Sequence, residues 1–490
     1  MQNEIRGWVG QTTEKRHHLY EDLAAISGSR HVMDQEWAIE AVSRDNSIEG
    51  ELAHLRPDII VRPGSEEEVI EIVKLANETK TPIIPTGART SCGGASLPKH
   101  GGINIDLLRM NKIEVHEEYM VYTVGPGVVW SHLHDALYKK GFKSGFKGPY
   151  SLSTATVVGS VSSNSHGIYS AKWGGAPDHV LCIKAVTSAL GLIGTGSLSN
   201  KNAKAYFRYC NGPDLTGILI GDHGTMGVKT EITMKMYLWP EAIEYQTNIF
   251  TERESAIKSF SEKLKTGYMD DSVLVYYVKD FIRTILPDLS KSAANIGCIE
   301  YYVVEDKNQG VADAKMKALD KITKKYRGVK MGATMGKLMQ EEIGSTGMVV
   351  AMMAKMGPWV LQCHARPVDD LLRYSEKCDE QYERSGYEKK GFSRQGQAFG
   401  IGRGQVSVID NLFNPFSDPE VIQLTEKYAT EGKNHAVESG GCPYWLGPAW
   451  YDHVYENYTP EYIAYYKAVK RVLDPNNIMN PGAFNIEELD

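Results

Sequence analysis

Three segments rich in small residues constrain the fold of this chain more than any other feature. The first spans residues 86–94, the second 151–167 and the third 213–227. Glycine, alanine, serine and threonine leave the backbone accessible, so segments of this composition can approach a bound molecule closely. The sequence therefore predicts ligand-contacting loops that come from separate parts of the chain.

The first segment lies between two predicted strands. An apolar run at 82–85 precedes it, and Ile103, Ile105 and Leu107 alternate with polar residues after it. A Rossmann dinucleotide site needs its glycines between a strand and a helix, with an acidic residue further on. No segment has that context, so a Rossmann site is not predicted.

Strand and helix patterns continue along the chain. Ser65 and Glu68 have the spacing of a helix capping box. Val228 to Leu238 alternates apolar and polar residues, as does a strand with one buried face, and Pro240 closes this part of the chain. Strands near 273–278, 298–304, 358–364 and 404–410 alternate with helices, which favours an antiparallel sheet with helices on one face.

The last predicted helix has clear end signals. Thr459 is the expected N-cap, Pro460 occupies the first turn and Pro475 stops the helix. Helical spacing predicts that four apolar or aromatic residues face inward: Tyr462, Tyr466, Val469 and Leu473.

Composition excludes several classes of protein. Lys and Arg number 54 against 61 Asp and Glu, a net charge of −7, which lacks the positive field that nonspecific nucleic-acid binding needs. The seven cysteines are scattered and form no C-x-x-C pair, so neither a disulfide framework nor a metal site is expected. Residues 1–20 are polar and the longest apolar run, near 347–356, is too short to span a bilayer. We expect a cytoplasmic protein without an integral membrane segment.

In their order and spacing, the three segments resemble the flavoproteins of the vanillyl-alcohol oxidase and 4-cresol methylhydroxylase superfamily, whose FAD domain is shared with glycolate oxidase and D-lactate dehydrogenase subunits. Residues 85–95 resemble the family's pyrophosphate loop, and residues 473–482 also match. The resemblance implies an α+β fold with a two-part FAD-binding domain and an antiparallel-sheet cap domain. Residues 1–240 would form the FAD-binding domain, 241–430 the substrate or cap domain, and 431–490 a C-terminal segment that completes the FAD domain and active site.

The resemblance implies FAD as the cofactor. A diphosphate is held by backbone N–H groups only where no bulky side chain blocks them, which matches the small residues, and Arg89 would add a charge. Thr90 stands where some members attach the flavin through a histidine, so that attachment is not expected, whereas attachment through a cap residue stays open. The expected cofactor-binding residues are Thr86, Gly87, Ala88, Arg89, Thr90, Ser91, Pro149, Gly159, Ser160, Ser163, Gly167, Gly227 and Val228.

The resemblance also implies hydride transfer from an alcohol or benzylic C–H of an aromatic, phenolic substrate to flavin N5. Asp178 matches the family's catalytic aspartate beside the flavin, and its alternative role is to cap the following strand. Tyr444 aligns with a phenolate-binding tyrosine, although Cys92 replaces the second such tyrosine. A structural role for Tyr444 is the alternative.

Two other functions stay open. In a 2-hydroxyacid dehydrogenase, Arg366 would clamp the carboxylate and His364 would act as base. Both residues have a structural role as the alternative. A flavin electron-relay subunit without its own substrate is the second possibility. The sequence does not identify the electron acceptor, which is oxygen or a partner redox protein. The family resemblance implies a homo-oligomer. The side chain of His223, in the third segment, is expected to face solvent.

Overall fold

The computed structural model describes residues 13–45, 47, 55–278, 295–338, 341, 361–387, 389, 392–413, 419–444 and 446–486. The strands, in chain order, are β1 Val32–Met33, β2 Ile59–Val61, β3 Ile83–Thr86, β4 Ile103–Asp106, β5 Ile113–His116, β6 Val121–Val124, β7 Phe142–Ser144, β8 Val180–Thr187, β9 Gly191–Gly194, β10 Val228–Leu238, β11 Ala242–Phe250, β12 Asp271–Tyr276, β13 Cys298–Asp306, β14 Val329–Gly332, β15 Leu361–Pro367, β16 Ser393–Gly400, β17 Gln405–Phe413 and β18 Cys442–Pro443. The helices are α1 Thr13–Ser27, α2 Glu36–Val42, α3 Glu66–Thr79, α4 Trp130–Tyr138, α5 Val157–Ser162, α6 Ser170–Trp173, α7 Arg253–Thr266, α8 Gln309–Lys325, α9 Thr334–Lys337, α10 Leu371–Ser385, α11 Pro419–Glu438, α12 Pro448–Tyr455 and α13 Pro460–Leu473.

The first sheet has the strand order β1-β2-β4-β3, with β2 and β3 both parallel to β4. All four residues of β4 are buried, including Asn104 and Asp106, because a parallel strand at the centre of a sheet is covered on both faces. Helix α3 packs on this sheet. The Ser65 side chain accepts the N–H of Glu68 at 3.3 Å, which confirms the predicted cap.

The second sheet has the order β5-β6-β10-β8-β9, and β7 pairs with the end of β10. Strand β10 spans Val228–Leu238 as predicted, and Ile232, Met234 and Met236 pack with Trp130 in the core. Strand β8 is shorter than its apolar run suggests. It ends at Thr187 because the Thr187 hydroxyl accepts the N–H of Leu190 at 3.0 Å and turns the chain.

The third sheet has eight strands in the order β14-β11-β13-β12-β16-β17-β15-β18, and every pairing in it is antiparallel. Helices α7, α8, α10 and α11 contribute to one hydrophobic cluster with Leu274, Tyr276 and Val408 from one face of the sheet. The predicted antiparallel cap with helices on one face is therefore confirmed, although residues 358–360 lie outside the described residues. The boundaries of the three predicted domains stay a prediction.

Helix α13 and the residues after it join the first two sheets. The Thr459 hydroxyl accepts the N–H of Tyr462 at 3.2 Å, which confirms the N-cap. Tyr466, Val469 and Leu473 pack against the core of the second sheet. The prediction for Tyr462 was wrong, because its side chain is 49% exposed and its ring packs on Tyr458.

The chain beyond α13 attaches to the exposed edge of β3. Ile83 donates its N–H to the Ile478 carbonyl, and the Ile83 carbonyl accepts the N–H of Asn480, both at 2.8 Å. Buried Lys470 lies beneath this attachment. Its ammonium donates to the Asp474 carboxylate at 2.5 Å and to the carbonyls of Thr225 and Met479.

Candidate functional site

The three small-residue segments meet in space, and a glycine lies at each approach. A Cβ on Gly87 would overlap the Thr156 hydroxyl, which joins the first segment to the second. A Cβ on Gly221 would overlap the Asn164 amide, and one on Gly224 would overlap the Pro85 ring, which joins the third segment to the other two. Larger side chains at these glycines would fill the space where the segments meet. The small residues of the three segments therefore keep backbone surfaces free for a ligand.

Backbone groups near these approaches have defined positions. Thr156 caps α5 by accepting the N–H of Gly159 at 3.2 Å, and Ser160 accepts the indole N–H of Trp130 at 2.9 Å. Arg89, with a positive φ of 54°, donates to the Thr86 hydroxyl at 3.1 Å and lies 3.6 Å from the Asp106 carboxylate. Its charge is held at the first segment, beside the backbone that the sequence assigns to a diphosphate. The residues present therefore fit an elongated ligand with a diphosphate.

The eight-stranded sheet turns the face opposite helices α7, α8, α10 and α11 toward this region. Cross-strand pairing places Tyr301, Val273, Phe399, Ser407 and Ala365 in one row on that face. Strand spacing makes the row from Tyr301 to Ser407 about 14 Å wide, since three spacings of about 4.8 Å separate them. The next row contains Val275, Gln397, Ile409 and Cys363.

Half-buried residues in the second row indicate open space between this face and the small-residue segments, which we call the cleft. Val275, Gln397 and Ile409 lie in central strands of the sheet, yet each is only half-buried. At one end of the cleft the hydroxyls of Tyr150 and Tyr301 are 3.1 Å apart, and the Tyr150 ring lies 5.5 Å from that of Phe399. Burial, with the neighbouring Tyr301 and Asp271, holds the pKa of Tyr150 well above its usual value. Both hydroxyls are therefore protonated at neutral pH.

Tyr444 lies at the other end of the cleft and is buried. Its hydroxyl donates to the His166 carbonyl at 3.2 Å and accepts the His166 N–H at 3.3 Å, with the Ser165 hydroxyl 3.1 Å away. A phenol has one proton and two acceptor positions, so these three contacts use its hydrogen-bonding capacity. Tyr444 therefore clamps the second segment in this structure, and phenolate binding by this hydroxyl would require those bonds to break.

His166 is held between Tyr444 and the sheet. The two rings stack with centroids 3.8 Å apart, and the imidazole Nε2 lies 2.8 Å from the Ser407 hydroxyl. The other ring nitrogen, Nδ1, lies 3.2 Å from the Asn164 carbonyl. Burial lowers the pKa of His166 to about 4, so the ring is neutral at pH 7.

Asp178 lies on the outer side of the loop that contains Gly175. Its side chain is exposed, and its carboxylate accepts the N–H of Gly175 at 2.8 Å. A Cβ on Gly175 would overlap the Ser165 carbonyl and approach His166, so this loop packs directly against the second segment. The carboxylate thus caps a loop beside the cleft, while its catalytic role stays a prediction.

His364 and Arg366 lie on the opposite face of the cap sheet from Cys363 and Ser407. Side chains alternate along β15, so both point toward the helices and are buried. The Arg366 Nε donates to His364 Nε2 at 2.8 Å, and the guanidinium lies 3.8 Å from the Tyr374 ring centroid. Burial, followed by the charge of Arg366, lowers the pKa of His364 well below its usual value. The structure therefore places this pair in the interior of the cap.

Four residues of the cleft were not among the sequence candidates: Tyr150, Tyr301, Ser407 and His166. Their partners belong to distant parts of the chain, which a single sequence does not show. His166 had one signal, because it is a large side chain within a segment of small ones. His223 was predicted to face solvent, and this is wrong, since it is 8% exposed and its ring packs on Phe484.

Two domain families match the chain. The FAD binding domain matches residues 57–195, and the C-terminal domain of FAD linked oxidases matches residues 449–484. The mitochondrial D-lactate dehydrogenase (cytochrome) of Arabidopsis thaliana is 36% identical over 187 residues, which are 38% of this chain and 31% of that protein. The glycolate oxidase subunit GlcD of Bacillus subtilis is 27% identical over 244 residues, 48% of this chain and 50% of that protein. The matches thus span half or less of these relatives' length.

The whole fold has a counterpart among solved structures. It superposes on p-cresol methylhydroxylase with a TM-score of 0.81 and 16% identity, over 98% of each chain. None of the helices within the described ranges has the length and apolar composition of a membrane span. The chain therefore contains the FAD binding domain and the C-terminal domain of the FAD linked oxidases, and it is a flavoprotein with the fold of p-cresol methylhydroxylase.

Proposed function

We propose that the chain is an FAD-dependent oxidase or dehydrogenase that takes a hydride from an alcohol or benzylic C–H of an aromatic substrate. The FAD would be held by the three small-residue segments and would supply the hydride acceptor when bound. The protein's part is to orient the substrate, exclude water and manage the proton of the substrate hydroxyl.

The observation that carries this proposal is the division of side chains between the two faces of the cap sheet. The cleft side carries an aromatic cluster in which Phe399 and Tyr301 are buried and Tyr150 is half-buried, so the Tyr150 ring offers surface for an aromatic substrate. In that pair one hydroxyl donates to the other, so one proton is left to donate to a substrate oxygen. His364 and Arg366, which a hydroxyacid would need, are on the helix side.

Hydroxyacid oxidation is the second candidate, and the names of the two curated relatives favour it. Each match covers less than half of this chain, whereas function depends on the side chains of the site. Lys172 is already paired with Asp270 at 2.8 Å. A hydroxyacid that used this lysine for its carboxylate would therefore have to displace Asp270.

Anaerobic flavin bleaching tests the proposal. Stopped-flow absorbance of the FAD-loaded protein would be recorded with benzylic alcohols, 4-alkylphenols and 2-hydroxyacids. We expect bleaching by the aromatic compounds, and slower bleaching in Tyr150→Phe and Tyr301→Phe, with Tyr374→Phe on the helix face as the matched control. Bleaching by hydroxyacids alone would refute the aromatic assignment, and no bleaching by any compound would favour an electron-relay subunit.

Asp178 requires a separate variant. Asparagine keeps an oxygen that can accept the Gly175 N–H, but it removes the charge, so Asp178→Asn separates capping from chemistry. We expect slower flavin reduction with FAD still bound. Unchanged reduction kinetics would assign Asp178 to capping alone.

A further inference from the structure

The contact between His166 and Ser407 joins the second small-residue segment to the cap sheet. Ser407 lies in the row of residues that faces the cleft and is 1% exposed, and His166 is half-buried. The 2.8 Å distance between the imidazole Nε2 and the hydroxyl oxygen is that of a direct hydrogen bond.

The surroundings determine which atom donates. The Asn164 carbonyl near Nδ1 can only accept, so Nδ1 carries the ring proton. In a neutral imidazole the other nitrogen is then an acceptor, and the Ser407 hydroxyl donates its proton to Nε2. This is the arrangement in which a histidine accepts a proton from a serine hydroxyl.

The polar groups around the pair are neutral. Tyr444 stacks on the imidazole, and Cys363 lies beside Ser407 on the same face of the sheet. Burial keeps the pKa of the Cys363 thiol well above its usual value, and the thiol is also a hydrogen-bond neighbour of Ser407. Within the described ranges, neither Tyr444 nor Cys363 brings a charge that would compete for the proton of Ser407.

The position of His166 is fixed through its backbone as well as its ring. The Tyr444 hydroxyl bonds both the N–H and the carbonyl of His166, which leaves the ring little freedom to rotate away from Ser407. Asp178 supports the loop that packs on the other side of this segment. Tyr444 is thus placed as a positioning residue for His166.

We propose, building on the proposed function, that Ser407 and His166 form a proton relay for the substrate hydroxyl. The substrate O–H transfers its proton to Ser407 Oγ while Ser407 transfers its own proton to His166 Nε2. FAD, when bound, would be the oxidant and would take the electron pair of the adjacent C–H bond as hydride while the C=O bond forms. The substrate would leave as a carbonyl compound, and His166 would carry the proton as an imidazolium. Ser407 would touch the substrate in this step and His166 would accept the proton through it; because Ser407 is 1% exposed, the substrate hydroxyl reaches Oγ only when neighbouring side chains of the cleft move aside.

The first test does not depend on activity. ¹⁵N NMR of histidine-labelled, FAD-loaded protein, with His166→Gln for assignment, reports which imidazole nitrogen carries the proton. We expect a protonated Nδ1 and an Nε2 shift that changes in Ser407→Ala but not in Ser272→Ala, a buried serine on the opposite face of the same sheet. A protonated Nε2, or no change in Ser407→Ala, would overturn the relay.

The second test measures flavin reduction by a benzylic alcohol across pH 5 to 9. Loss of general acid–base assistance should slow Ser407→Ala and His166→Gln by about 100-fold or more, with a changed pH profile. Ser407→Thr keeps the hydroxyl and should recover most of the rate, while FAD absorbance checks folding. If the wild type is reduced and the variants match its rate and pH profile, the relay is refuted and the proposed function stands. If the wild type is reduced by no alcohol, both are refuted.

Discussion

Replacing Lys470 with methionine should separate the energetic weight of a buried ion pair from that of an exposed one. Lys470 and Asp474 are 3% and 0% exposed and lie four residues apart. Lys139 and Asp135 have the same residue types at the same spacing, but their side chains are 70% and 63% exposed. The chain thus contains a matched control for the buried pair.

The structure sets the expected magnitude. Without the ammonium, Asp474 keeps hydrogen bonds from Ile478, Met479 and Ser188, but its charge has lost its partner. The carbonyls of Thr225 and Met479 also lose a donor. Removing one partner of a buried pair costs about 3–5 kcal/mol, whereas an exposed pair of this kind is worth about 0.5 kcal/mol. We expect Lys470→Met to lower the free energy of unfolding by about 4 kcal/mol and Lys139→Met by less than about 1 kcal/mol.

Urea unfolding monitored by tryptophan fluorescence, with all variants at the same FAD saturation, measures the difference. Lys470→Met/Asp474→Asn also removes the unpaired charge and should be less destabilised than the sum of the two single variants. If Lys470→Met and Lys139→Met lowered the free energy of unfolding by the same amount, burial of the Lys470–Asp474 pair would not explain its energetic effect.

Three further predictions concern pH, FAD retention and helix capping. Burial lowers the pKa of His134, His166, His179 and His223 to about 4 or below, and it holds the pKa of His364 well below its usual value. These histidines bind protons near pH 6.5 in the unfolded chain, so the free energy of unfolding is fully present above that pH and falls as the pH is lowered toward 4. Urea unfolding at several pH values measures this change, and a flat profile would contradict it. Gly87→Ala should lose FAD on gel filtration, whereas Gly404→Ala, in open space, should retain it; retention by both would exclude the close approach at Thr156. Ser65→Ala should lower the free energy of unfolding by about 1 kcal/mol, and an unchanged urea midpoint would show that the cap contributes nothing.

Local signals in the sequence predicted local structure well. Ser65 and Thr459 cap helices as predicted because a cap depends on residues three positions apart. Strand β10 has the predicted bounds because its alternation reflects one buried face. Tyr462 fails because helical spacing identifies a face of a helix but not where the core ends along it.

The candidate site was predictable only in part, because its geometry depends on the parity of strands and on distant contacts. Segments of small residues predicted loops that approach one another closely, since backbone access is visible in composition. Alternate residues of a strand face opposite sides of a sheet, so the direction of His364 and Arg366 depends on the register of β15. No local sequence pattern around them shows that register. Ser407 and Tyr301 come near His166 and Tyr150 only through the packing of the cap on the FAD-binding region.

The alternation along β15 has a consequence for how such a fold could acquire a new substrate. A deletion or insertion of one residue before Cys363 would exchange the two sides of the strand and turn an imidazole and a guanidinium toward the cleft. A neutral wall and a wall with two nitrogen-rich side chains are thus one inserted or deleted codon apart, without any change in the identity of the side chains. Engineering of specificity in this scaffold would accordingly begin with strand register and only then turn to the choice of residues.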